Sequence, residues 1–108
     1  MTSAQQARAL ALALPEALEQ DHHGRPSFRV AGKIFATLPD SEHINVMLDE
    51  PGIRTAVART ATGCAELWWG KRLSAVQVTL ARIDQSELAE LLADAWEGKA
   101  PKRLLPPA

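Results

Sequence analysis

The apolar positions follow two rhythms along the chain. Between residues 4 and 18 they recur at spacings of three and four. Ala7, Leu10, Ala11, Leu14 and Leu18 form one stripe, the pattern of an amphipathic helix. Pro15 removes a backbone donor and crowds the preceding turn, so the helix is predicted to stop near Leu14 before a short turn over 15–18. From residue 27 the rhythm changes to two. Phe28 and Val30 share a face of one run, Ile34, Ala36 and Leu38 of the next, and Ile44, Val46 and Leu48 of a third. Gly32 marks a hairpin turn between the first two, and Pro39-Asp40-Ser41 a turn before the third. Short turns between alternating runs predict an antiparallel meander.

Asp49 is placed to cap a second helix with Pro51 in its first turn, and Ile53, Ala56, Val57 and Thr60 give it an inward stripe. Thr62-Gly63 should end it. Residues 64–72 show no clear period, and Ala75–Leu80 alternates again. Asp84 and Glu87 form a D-x-x-E capping pattern ahead of Leu88, Leu91, Leu92, Ala95 and Trp96, with Gly98 placed to end that last helix. The fold class read from this is α+β. An antiparallel sheet of four to five strands is covered on one face by helices, in the order α-β-β-β-α-β-α, with further strand candidates at 19–23 and 66–70. Residues 1–98 form one domain, and residues 99–108 a basic, then proline-rich tail expected to be disordered. The outer sheet face should carry Ser27, Arg29, Lys33, Phe35, Thr37, Asn45, Met47, Gln77 and Thr79.

Composition narrows the classes. The chain has 108 residues, 46% apolar and 23% charged, ordinary values for a globular domain with one core. No apolar run approaches the ~20 residues of a membrane span. The first residues lack the basic stretch and apolar core of a signal peptide, and Cys64 is the single cysteine, so a cytoplasmic location without disulfides is expected. The formal net charge is −1, unevenly distributed: −2 over residues 1–24, +3 over 25–82 and −2 over 83–108. No global basic field draws in nucleic acid, and only the middle is mildly basic.

The candidate chemistry is sparse. No nucleophile elbow, phosphate-binding glycine loop or nucleophile–base spacing is present, so no enzyme activity and no cofactor are expected. His22 and His23 are adjacent and should point to opposite faces, His43 stands alone, and no metal site is expected. The plain role for His22 is to hold the turn at Gly24. Asp40-Ser41-Glu42-His43 holds the residue types of a catalytic triad, but contiguous in sequence. Cys64 reads as a small buried hydrophobe. The remaining candidates are cations that would contact phosphates: Arg25, Arg29, Lys33, Lys71, Arg72, Lys102 and Arg103. Phe35, Met47 and Trp69 are candidate apolar contacts on the outer face, since Trp68 and Trp69 cannot both point inward. The same cations also fit a second reading, as solvated charges that keep a small domain in solution. Partners compatible with these residues are DNA, or a protein or small ligand on the outer face, with the chain a monomer or weak homodimer.

One segment carries a resemblance. His22-His23-Gly24-Arg25-Pro26-Ser27-Phe28-Arg29-Val30, followed by Gly32-Lys33-Ile34-Phe35-Ala36, resembles the MmcQ/YjbR pattern H-x-G-R-P-S-F-R-V-x-G-K-I-F-A. Leu10-Ala11-Leu12 with Leu14-Pro15, Asn45-Val46 with Leu48-Asp49, Glu87-Leu88 through Trp96, and Ala100-Pro101-Lys102-Arg103-Leu104 extend the likeness over nearly the whole chain. Where members often have a Trp-Val pair, this chain has Ala75-Val76, with Trp68-Trp69 upstream. The resemblance implies a CyaY/frataxin-like sandwich of antiparallel sheet and helices. It also implies DNA as ligand, by analogy with a double-wing arrangement.

Overall fold

A computed structural model describes residues 1–106. Helix α1 spans Ala4–Leu12 and opens with a complete capping box: Ser3 accepts from the Gln6 amide, and the Gln6 side chain accepts from the Ser3 amide. It ends ahead of Pro15, as the proline requires. The chain continues through β1 (Leu18–His22), β2 (Arg25–Val30), β3 (Lys33–Thr37), β4 (His43–Val46), α2 (Glu50–Arg59), β5 (Cys64–Trp69), β6 (Arg72–Thr79) and α3 (Gln85–Lys99). The described residues form a six-stranded sheet in the order β1-β2-β3-β4-β6-β5, with every neighbouring pair antiparallel. Both further strand candidates exist, as β1 and β5, and the element order agrees with the sequence reading.

Two-residue turns join the hairpins. His23-Gly24 and Ala31-Gly32 take positive φ at both positions, the primed turn whose twist matches that of paired strands. The alternation of direction then places the tips of β2–β3 and β5–β6 at one end of the sheet, beside the end of β4. The β1–β2 tip lies at the opposite end.

Two bulges break strict alternation. In the β2–β3 pair, Phe28 faces Ala36 while Arg29 faces Ile34, which leaves Phe35 as the extra residue. An extra residue reverses the faces of everything beyond it. Phe35 is therefore fully buried in the core, and Ile34 turns to the outer side. The expectation of Phe35 as an outer-face contact is corrected on this point. A second shift pairs Leu67 with Ala75 and Trp68 with Leu73, leaving Ser74 extra.

The core joins Phe28, Val30, Ala36, Ile44, Val46, Val76 and Val78 of the sheet to Ala7 and Ala11 of α1, Ile53 and Ala56 of α2, and Leu88, Leu92 and Trp96 of α3. The helices thus cover one face. The Trp96 indole N–H donates to the Pro15 carbonyl at 2.9 Å, which ties α3 to the turn after α1. Asp84 caps α3 through the Glu87 amide, but the Glu87 carboxylate accepts from Thr60, after α2, so only half of the expected capping box forms. Helix α3 runs through Gly98 to Lys99 and ends where Pro101 follows Ala100. The tail is not loose through Pro106. Leu104 and Leu105 pack on the core around a 3-10 turn at Lys102–Leu104. Pro107, part of the expected disordered end, lies outside the described residues.

Candidate functional site

The sheet's outer face is not covered by a helix, and a groove of about 640 Å³ crosses it. Ile34, turned outward by the bulge, joins Thr37, Asn45 and Met47 along the groove. His22, Arg25, Pro26 and Pro39 line one end. Trp69, Arg72, Leu73, Ser74 and Lys99 line the other, with Leu48-Asp49-Glu50 beside them. Cross-strand polar pairs lie on the same sheet. Asn45 accepts from Gln77 at 3.3 Å, and Ser27 donates to the Gln20 carbonyl at 2.8 Å. Arg29 lies along this face, donating from Nε to the Ser27 hydroxyl at 3.1 Å. Its guanidinium lies 3.5 Å from His22 Nδ1. Arg25 donates to the Pro39 carbonyl.

The histidines differ from expectation. Asp21, not His22, holds the turn, accepting from the Gly24 amide at 3.2 Å. His23 sits at φ 55°, so the two imidazoles meet edge to face at 4.5 Å instead of pointing to opposite faces.

The cations divide by location. Arg8 pairs with Glu19, Arg54 with Glu50 and Glu66, Arg59 with Glu90, and Arg103 with Glu16. Arg103 grips both Glu16 oxygens at 2.8 Å and, chiefly through these hydrogen bonds, holds that carboxyl below the ordinary carboxylate range. It was expected to contact phosphate, and its fork already has a partner. Lys102, exposed beside it, does not line the groove. Among the described residues, Arg25, Arg29, Lys33, Lys71, Arg72, Arg82, Lys99 and Lys102 are in no ion pair; the first five belong to the sheet, Lys99 to the end of α3 beside the groove, and Arg82 and Lys102 do not line it. Arg25 and Arg72 line opposite ends of the groove, and Lys33 and Lys71 are exposed at the two hairpin tips that share one end of the sheet. Lys99 was not singled out in the sequence, where it reads as an ordinary cation in the last turn of a helix.

Both tryptophans are exposed, Trp69 by 58% and Trp68 by 46%. They face opposite ways. Trp69 lines the groove, whereas the Trp68 indole donates to Glu66, the carboxylate that Arg54 of α2 also contacts. Cys64 is buried, and desolvation, aided by the nearby Glu87 charge, pushes its thiol up to about 11. It is a protonated packing residue at neutral pH. His43 pairs with Asp40, and among the described residues no three His, Cys, Asp or Glu side chains group to hold a metal ion. Among the described residues no helix is long and apolar enough to cross a membrane.

A search of curated proteins finds no match. Among solved structures, the crystal structure of Deinococcus radiodurans protein DR2400, with a DUF419 domain, is similar to this chain. The TM-score is 0.77 at 18% identity, over 97% of this chain and 83% of that one. At such identity the likeness speaks for the fold alone. The YjbR family model matches residues 12–98, from the end of α1 almost to the end of α3. With most of its length matched, the chain belongs to the YjbR family.

Proposed function

We propose that this protein is a non-catalytic, cytoplasmic DNA-binding module that uses the outer face of its sheet. The observation that supports this reading most is the partition of charge. Arg8, Arg54, Arg59 and Arg103 have carboxylate partners, whereas six of the eight cations without one, Arg25, Arg29, Lys33, Lys71, Arg72 and Lys99, lie on or beside the sheet, with Arg82 and Lys102 elsewhere. A net charge of −1 leaves no long-range attraction, so any pull on a polyanion is local to this face. The mechanism is phosphate contact with release of condensed counterions, which carries no sequence information. Lys33 and Lys71 are exposed at hairpin tips on the same end of the sheet, and Arg29 and Arg25 are oriented by Ser27 and Pro39.

Fluorescence anisotropy with a labelled DNA duplex tests the reading. The logarithm of the binding constant should fall linearly with the logarithm of salt concentration, with a slope of about 0.9 for each phosphate contacted. Arg29→Ala with Lys33→Ala should weaken it. No measurable binding at low salt would overturn the proposal. A second reading, a small-ligand or protein-binding module, rests on the groove's size and its apolar lining of Ile34, Met47, Leu73 and Trp69. Salt-insensitive binding, or a ligand that co-purifies, would favour it.

A further inference from the structure

We infer that the groove takes an unpaired strand of DNA, with a base stacked on Trp69 and phosphates held at Arg25 and at Arg72 with Lys99. This rests on the DNA-binding reading and specifies the form of DNA. A duplex offers a protein mainly phosphates and sugars, while its bases are stacked away. For such a ligand, cations alone would suffice. The groove instead combines cations at both ends with an apolar lining, Ile34, Met47 and Leu73, and an indole exposed by 58%. Phosphates laid on that lining would lose hydration without gaining partners. The π-face of an unpaired base matches it, and every base has one.

The dimensions agree. A volume of about 640 Å³ is that of a small-ligand pocket. Such pockets, roughly 300–1,000 Å³, accept a nucleotide-sized group and are too small for a double helix. The cations lie at opposite ends, as a strand running through the groove requires: Arg72 and Lys99 hold a phosphate next to the base on Trp69, and Arg25 holds one farther along the strand. The carboxylates at the rim are already engaged. Asp49 caps α2 through the Gly52 amide at 2.8 Å, and Glu50 pairs with Arg54. Glu50 is thereby offset by a cation, while Asp49 keeps its charge, turned to the N-terminus of α2.

Trp68 supplies an internal control, being adjacent, similarly exposed and turned to the other face. Short labelled oligo(dT) and a duplex of equal length, titrated with the full chain, separate the outcomes. Oligo(dT) should bind about tenfold more tightly than the duplex and quench tryptophan emission. Trp69→Ala should lower oligo(dT) affinity about tenfold, the usual scale of one lost stacking contact. Trp68→Ala should leave it unchanged. A duplex that binds as tightly as oligo(dT), or equal effects of the two tryptophan variants, would overturn the single-strand assignment and leave the DNA-binding reading standing. Tighter binding of oligo(rU) would overturn the assignment to DNA. Binding of neither oligo(dT) nor duplex would overturn both readings.

Discussion

On the helix side, Arg54 is held between Glu50 and Glu66, and Arg59 reaches Glu90. Across the sheet, Arg25 and Arg72 line a groove with no carboxylate partner. The helix side also contains the apolar core, and the outer face carries only partly buried apolar groups such as Ile34 and Met47. Exposed ion pairs contribute little to stability, about 0–1 kcal/mol each. Their consequence here is that the helix-side arginines are engaged, while Asp94 and Glu97 of α3 add acidic charge there, so the unpaired cations lie mainly on the sheet. Stability and recognition are therefore assigned to opposite sides of one sheet, and substitutions can separate them.

The largest effect on folding should come from Phe35→Ala. Removing a fully buried phenyl typically costs about 3–5 kcal/mol, measured by denaturant unfolding. Met47→Ala, on the groove, should cost under about 1 kcal/mol. Comparable losses would place Phe35 and Met47 on equal terms and erase the distinction between the faces. Cys64 gives a second contrast. A thiol raised to about 11 has a thiolate fraction roughly three-hundredfold below that of a free cysteine near 8.5. Alkylation of the native protein at neutral pH should be correspondingly slow, and denaturant should restore it.

Binding should respond on the other side. Lys71→Ala with Arg72→Ala should reduce the salt slope of DNA binding by about 1.8, whereas Arg54→Ala should leave it unaltered. Asp84→Ala removes the cap of α3 and should cost about 1 kcal/mol in thermal unfolding without altering binding. The smallest effect is a pH dependence. Arg103 lowers the Glu16 carboxyl, and the Glu87 amide lowers that of Asp84. A carboxyl lowered on folding stabilises above its unfolded value, about 4, and that contribution is lost as pH falls through the lower folded value. The tail contact at Glu16 should therefore loosen only in acid, which NMR of the Arg103 side chain would register.

Much of the fold was legible because local signals agreed. The stripe before Pro15, the turn at Gly32 and the cap at Asp84 each correspond to an observed boundary. Phe35 was misplaced because alternation assumes unbroken pairing, and the bulge opposite Phe28 and Arg29 is a property of two strands. Strand β5 lacked a clear period for a related reason. It is an edge strand, whose inner side carries Glu66 and Trp68 against α2 and not only core residues. The site was less legible. Arg25, Arg29, Lys33, Lys71 and Arg72 stand out as cations, but whether a cation is free depends on distant partners. Arg103 meets Glu16, 87 residues away, and Lys99 reaches the groove only because α3 runs past Gly98.

The most direct test of the division between the two faces is amide chemical-shift mapping by NMR during titration with DNA at low salt. Perturbations should concentrate at Arg25–Thr37, Asn45–Met47, Trp69–Ser74 and Lys99, and leave Arg54, Arg59 and the exposed side of α1 unmoved. Perturbations confined to the helix side, or none at all, would contradict the assignment of recognition to the outer sheet face.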